Sequence, residues 1–348
     1  MKYRLALFLF TLSITAAYSW GFFAHQRINR QAVFSLPPEM IVFFKKHIVY
    51  ITEKAVNPDK RRYAVEGEAP RHYIDVDVYD KYFNDSAVYK MPRFWSEAVA
   101  MFSEDTLQAY GIVPWHVERM RYRLTEAFRR KDAREILRLS ADIGHYIADA
   151  NVPLHTTENY NGQLTGQRGI HGLWESRLPE LFFDDYDLWV GKAEYIQKPQ
   201  LHIWQGVVLA HEAVDSVFVF ERKATEMMPP DKKYSFIERN GITVRTYSYD
   251  FCDLFHRLLA GQVERRLRAS IKMVADFWFT CWVDAGQPDL RELLDFEFTP
   301  EELEQMKKEE EEWEKAPKVP VRPHEATRLR SAESVPAYAH VCPHDALF

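Results

Sequence analysis

Along most of the chain apolar residues recur every three or four positions, the period of one helix face. Residues 24–35 set Ile28, Ala32 and Val33 on one side before Pro37-Pro38, predicting a short amphipathic helix. Helices are also predicted over 39–54 and 93–108, and 115–150 reads as two longer helices broken near Lys131-Asp132. Another predicted helix, over 200–226, ends before Pro229-Pro230. Residues 250–283 carry Phe251, Phe255, Leu259, Val263, Leu267 and Ile271 as the stripe of one long amphipathic helix. One stretch departs from the helical pattern. Asn240-Gly241 sits between two short runs rich in β-branched and aromatic residues, the signal for a type I′ hairpin. Thr299-Pro300-Glu301-Glu302 supplies a cap, a first-turn proline and a box glutamate. The helix after it is nearly all Glu and Lys, a solvated face, and beyond Pro317 the chain is expected to be poorly ordered. The pattern predicts a mostly α fold, a single multi-helix domain with a small β-hairpin insertion near 234–247 and a polar C-terminal tail.

The start of the chain follows a different logic. Lys2 and Arg4 precede the apolar run LALFLFTLSI, which gives way to the small-residue exit Ala17-Tyr18-Ser19. This is the layout of a secretory signal peptide over residues 1–19. Cleavage after Ser19 would leave Trp20 first and make the protein secreted or periplasmic. The run is short for a bilayer span, and no transmembrane anchor is expected in the mature chain. The expected division is a signal peptide (1–19), a helical domain (20–298) and a charged helix with its tail (299–348).

Composition narrows the partners. The 348 residues are 28% charged and 47% hydrophobic, a globular profile. The net charge of −6 becomes −8 once Lys2 and Arg4 leave, so no broad face for duplex DNA is expected. Three cysteines (Cys252, Cys281, Cys342) make neither a disulfide framework nor a cysteine zinc site. His340, Cys342 and His344 fall in the polar tail, where their proximity is read as chance.

The thirteen histidines carry more information. His145 and Asp149 stand at i and i+4 in ADIGHYIADANVPLH, so both project from one helix face. Pro153 is placed to stop that helix, with His155 on the exit turn. His171 and Glu175 repeat the i,i+4 spacing in GIHGLWESRLPE. Imidazole and carboxylate are the ligands zinc takes from helices. A single such pair is more often an ordinary ion pair, but two pairs with a histidine between them point to metal. The loop between them (TTENYNGQLTGQRG) is suited to cover the site. His47, His116, His202, His211, His256 and His324 lack partnered spacing and read as surface or satisfied core residues.

With these motifs in view, the chain resembles the superfamily joining bacterial zinc-dependent phospholipases C and fungal single-strand-specific nucleases. The matching residues are Trp20-Gly21-Phe22-Phe23-Ala24-His25, then Asn57-Pro58-Asp59, Arg71-His72, and the His145/Asp149/His155 and His171/Glu175 motifs. The resemblance implies a mostly helical domain of that type holding three zinc ions. Asp59, His72 and His145 would hold one, with Asp149 bridging to a second that also takes His25 and the amine and carbonyl of Trp20. His155, His171 and Glu175 would hold the third. Asp75 would act behind the ligands as an acceptor for a ligand histidine, and Asp59 would serve the chemistry as well as the metal.

The implied activity is zinc-dependent phosphodiester hydrolysis, in which the ions neutralise the ester and acidify a bound water to give hydroxide. No G-x-S-x-G elbow, P-loop or dinucleotide fingerprint competes for the role. Glu175 as the last ligand and the sixteen-residue step from His155 to His171 look more like the phospholipases. A single-strand nuclease is the alternative substrate reading and would need stacking platforms, for which Trp174, Tyr160 and Phe22 are candidates. A zinc-stabilised binding protein without catalysis is the other. The expected partner is a phosphodiester, either a phospholipid headgroup or single-stranded nucleic acid.

Overall fold

The structure, a computed structural model, describes residues 21–317 apart from 240–241. Residues 1–19, read above as a signal peptide, Trp20, Asn240-Gly241 and the segment with His324, His340, Cys342 and His344 lie outside these residues. The fold is mostly α with one small antiparallel hairpin, as the pattern predicts.

Helix Gln262–Asp284 runs through the body and packs on helices Gly21–Val33, Val113–Arg129 and Ala133–Asp149. Its stripe of Leu267, Ile271, Val274, Phe277 and Trp278 is fully buried. Each such side chain contributes roughly 1.5–3 kcal/mol relative to exposure. The Trp278 indole N–H donates to the Ser140 carbonyl at 3.1 Å, which fixes the register of this helix against Ala133–Asp149.

The long helix expected over 250–283 is two helices, Tyr249–Leu258 and Gln262–Asp284. Ala260 and Gly261 break it by adopting left-handed backbone, φ 48° and 75°. Both halves bury onto the same core, so the apolar stripe continues across a backbone that does not. The same effect splits 93–108 at Ser103, φ 69°, and 39–54 divides at His47. The stretch 200–226 forms Pro199–His211 and Val214–Met227. The expected break in 115–150 falls at Lys131, φ 53°, and the Asp132 carboxylate then caps the next helix by accepting from Glu135 N–H at 3.1 Å.

Strands β1 (Tyr234–Arg239) and β2 (Ile242–Tyr247) pair antiparallel, Tyr234 opposite Tyr247 and Ile237 opposite Val244. Helix Pro300–Lys315 carries the expected capping box at Thr299 and Glu302. It is not simply a solvated rod. Glu310 pairs with Lys54 and, at 2.8 Å, with Lys60, while Glu302 meets Arg134, so the helix is docked on the body.

Helix Gly21–Val33 crosses Ala133–Asp149 at Gly144, and this close approach positions the site. A Cβ at Gly144 would fall 2.1 Å from Asn29 Oδ1. Asn29 is fully buried and donates to the Ala141 carbonyl at 3.0 Å, so it has no room to move aside. Gly144→Ala is therefore expected to destabilise the fold by roughly 1–3 kcal/mol, the range for forced overpacking. A denaturant midpoint measurement checks this; an unchanged midpoint would mean the helices separate freely here.

Candidate metal centre

Each candidate ligand is delivered by a different local device. His25 projects from helix Gly21–Val33, and Asp59 from the short helix Asn57–Arg61, which Pro58 starts. His72 ends the 3-10 turn Ala69–His72. His145 and Asp149 lie one turn apart at the C-terminal end of Ala133–Asp149. The carboxylate opposes the helix dipole there, a cost that adjacent histidines offset. The helix ends there, and Pro153 opens the 3-10 turn that presents His155. His171 sits in the turn Ile170–Gly172, and Glu175 in a π-helical turn, Leu173–Arg177. Such widened turns are frequent at functional sites.

The eight ligands within the described residues converge. Three groups each bring donor atoms within 4.8 Å of one another: His25, Asp59 and His145; His72, His145 and Asp149; His155, His171 and Glu175. Asp149 joins them. Its Oδ2 lies 2.9 Å from His72 Nδ1 and 3.2 Å from His145 Nε2. Its Oδ1 lies 3.4 Å from His25 Nε2 and 3.8 Å from His155 Nδ1. One carboxylate thus faces different histidines with its two oxygens, the disposition a bridging ligand requires. The third group coincides with the resemblance's set, and Glu175 reaches both His171 and, at 3.1 Å, His155. His25 lies beside its expected neighbour Asp149 at 3.4 Å and also reaches Asp59 and His145. Its ring stacks on His145, centroids 3.8 Å apart, which carries its nitrogen to Asp59 and His145. Trp20, the remaining expected ligand, lies outside the described residues, but Gly21 is packed tightly against Ser176, beside Glu175. A Cβ on Gly21 would meet Ser176 Oγ at 2.8 Å.

The rings are held from behind by backbone. His145 Nδ1–H donates to the Ala55 carbonyl at 2.9 Å and His171 Nδ1–H to that of Tyr160 at 3.1 Å. His155 uses the His72 carbonyl in the same way. These contacts fix the ring orientation and leave the other nitrogen facing the cluster. Asp75 is fully buried in the segment that follows His72, where its charge helps to raise the phenol pKa of Tyr79.

Comparison with protein-family models and with curated proteins finds no match.

Burial and mutual charge decide the protonation of the cluster. Burial, assisted by the neighbouring His145, lowers the His25 pKa to about 4, so its imidazole is neutral at pH 7. Burial also drives His72 well below the ordinary histidine range. His145 moves the other way. Burial opposes its charge, but Asp149 and Asp59 outweigh it and raise the pKa to about 9. Asp59 rises to about 7 through burial, whereas at Asp149 the charges of His145 and His155 overcome burial and hold the carboxyl well below its usual value. Neutral imidazoles and carboxylates are metal donors, and buried atoms here have no hydrogen-bond partner: both ring nitrogens of His25, and Asp59 Oδ2. Unmet donors and acceptors with this chemistry fit divalent metal ions.

At pH 7 the metal-free centre holds a proton on His145, pKa about 9, and on part of the Asp59 population, pKa about 7. Ligation needs both groups deprotonated. Metal loading at pH 7 is expected to release about one proton or more per chain, and affinity should weaken as pH falls. Titration calorimetry in buffers of different protonation enthalpy measures the number directly, and zero release would contradict the assignment. His145 has a folded pKa raised above 6.5, so its contribution to stability is complete below 6.5 and lost as pH rises through about 9.

Sequence reasoning missed Glu68. It is fully buried, its Oε1 lies 3.8 Å from His72 Nε2, and Tyr146 and Arg61 bind it. The spacing from Glu68 to His72 is again i,i+4, but Pro70 between them obscured it. Trp174, a candidate stacking platform, is not one. It is fully buried, and its indole donates to Gln262 at 3.0 Å. Among the histidines without partnered spacing, His211 lies 3.0 Å from the Thr156 carbonyl and His256 lies 2.8 Å from the Tyr186 hydroxyl. His116 is buried with neither ring nitrogen hydrogen-bonded, and buried His47 leaves its Nε2 without a partner.

Proposed function

We propose that the protein is an exported zinc-dependent phosphodiester hydrolase of the phospholipase C type. The observation that carries this reading is Asp149, whose two oxygens face four histidines at the junction of three buried donor groups. A single tetrahedral ion uses four ligands, so this set is built for more than one. Bound zinc would supply positive charge for the ester oxygens and acidify the attacking water.

The chain's own groups divide the remaining work. His171, 7% exposed and the most accessible of the eight, marks the side from which substrate approaches. Half-buried Tyr160 lies edge-on to its ring and forms part of that approach. Asp59 directs Oδ1 toward His72 and His145, leaving Oδ2 to accept a proton from the attacking water. Arg62 follows closely, and its charge acts on both Asp59 and His72, so it can pair with a phosphoryl oxygen. Buried Trp174 removes one base-stacking candidate, which favours a lipid headgroup over a nucleobase.

The test is parallel turnover by mature, zinc-loaded protein of bis-p-nitrophenyl phosphate, phosphatidylcholine vesicles and single-stranded DNA. Headgroup release with the vesicles is the expected result. Preferential cleavage of DNA would select the nuclease instead. No turnover of any of the three by metal-loaded protein would leave a zinc-stabilised binding protein and overturn the proposal.

A further inference from the structure

Behind the metal centre lies a cavity of about 590 Å³, roofed by helix Pro300–Lys315. Its size falls within the range of pockets that hold small molecules. Glu68 and Tyr146 line its floor, and the same two residues back onto His72, so a protein wall separates the cavity from the cluster. The body side presents Lys54, Arg61, Arg71, Arg123, Arg134 and Arg138 against only Glu68 and Asp142. The roof presents Glu301, Glu302, Glu309 and Glu310.

The roof's acids leave groups along the cavity and at its edge without a carboxylate partner. Glu310 is taken by Lys54 and Lys60, and Glu302 by Arg134. Arg61 and Arg71 are bound by the body's own acids. Among the described residues the Arg123 guanidinium has no carboxylate at ion-pair distance; it contacts the Met120 sulfur at 3.9 Å. His116 is 5% exposed, lines the cavity, and neither ring nitrogen has a hydrogen-bond partner. Burial and the surrounding arginines hold its pKa well below the usual range, so it offers a neutral N–H in a positive field. His116, Met120 and Arg123 stand at i, i+4 and i+7 of helix Val113–Arg129 and form one stripe along the cavity. Tyr50, Met306 and Trp313 complete it with apolar surface.

We propose that this cavity is a second ligand site, for a small organic anion with a flat apolar body. The charged head pairs with Arg123 and accepts from His116, and the body lies against Met120, Met306 and Trp313. The roof suits a site that must open, because helix Pro300–Lys315 has no fully buried residue and is docked largely by ion pairs.

The probe is 2-naphthalenesulfonate, titrated calorimetrically into the full mature, zinc-loaded chain, with 2-naphthalenemethanol as the uncharged comparison. One saturable site is expected, with the alcohol about tenfold weaker or more, since it lacks the charge-assisted contacts. Arg123→Gln and His116→Phe should each weaken the sulfonate by about tenfold, and Arg130→Gln, exposed just past the end of that helix, should not. Should His116→Phe fail to fold, Arg123→Gln alone decides, because that side chain is exposed at the cavity edge. Absence of saturable binding, or unchanged affinity in Arg123→Gln, overturns the proposal. Binding that is lost in Asp149→Asn but kept in Arg123→Gln would place the sulfonate at the metal centre and overturn it equally.

Discussion

Asp149→Asn is expected to reduce phosphodiester turnover on the order of a thousandfold and to lower the zinc content of the purified protein by at least one ion per chain. Both oxygens of the carboxylate are engaged, one toward His72 and His145 and the other toward His25 and His155. An amide keeps one weakly donating oxygen and presents an NH₂ that repels a cation, so it cannot serve two ions. The negative charge lost also matters, since it offsets the histidines clustered around it. Glu175→Gln supplies the comparison. Glu175 serves only the His155 and His171 group, so its amide should cost less metal and less activity. Elemental analysis and hydrolysis of an aryl phosphodiester, run on both variants, give the ranking. Equal zinc content and rate in Asp149→Asn and the unaltered chain would remove the bridge.

The part of the site legible in the sequence is the part encoded by local spacing. His145 and Asp149 share a helix, Pro153 dictates where that helix stops, and His155 falls on the turn that results. Such relations need only helix geometry and the chemistry of proline. The hairpin was readable for the same reason: Asn240-Gly241 between β-branched runs is a local signal, and strands β1 and β2 flank it. Packing decided what remained hidden. Ala260 at φ 48° and Ser103 at φ 69° are not residues that announce left-handed backbone, so the breaks they make appear only once the helices are in place. Glu68 reaches His72 through a segment interrupted by Pro70. The roof helix reads in sequence as nearly all Glu and Lys, a solvated face, and only the fold turns its Met306 and Trp313 toward a cavity. The stacking of His25 on His145, which also brings His25 to Asp59, accompanies the Gly144 crossing, a contact between residues more than a hundred positions apart.

Adding Met-Gly-Ser ahead of Trp20 is expected to cost about one zinc ion per chain and most of the hydrolytic activity, while leaving the fold intact. The resemblance makes the α-amine of Trp20 a ligand. An α-amine has a pKa of about 7.7–8.0 and yields its proton to a metal readily, whereas a peptide nitrogen does not. Gly21, the residue after Trp20, lies tightly against Ser176, next to Glu175, and His25 follows one turn along the same helix. His25 Nδ1 has no hydrogen-bond partner, and its pKa of about 4 keeps the ring neutral, a state suited to sharing an ion with a neighbouring amine. With three extra residues the amine moves away, and His25 and Asp149 are left with an incomplete shell. Removing the extension with a protease that leaves Trp20 first should restore both metal and rate. The comparison uses one preparation before and after cleavage, in excess zinc, with circular dichroism as the control for folding. Full zinc content and unchanged turnover with the extension in place would show that the amine plays no part. The phospholipase reading would then rest on the side-chain ligands alone, and signal-peptide removal would have no role in completing the centre.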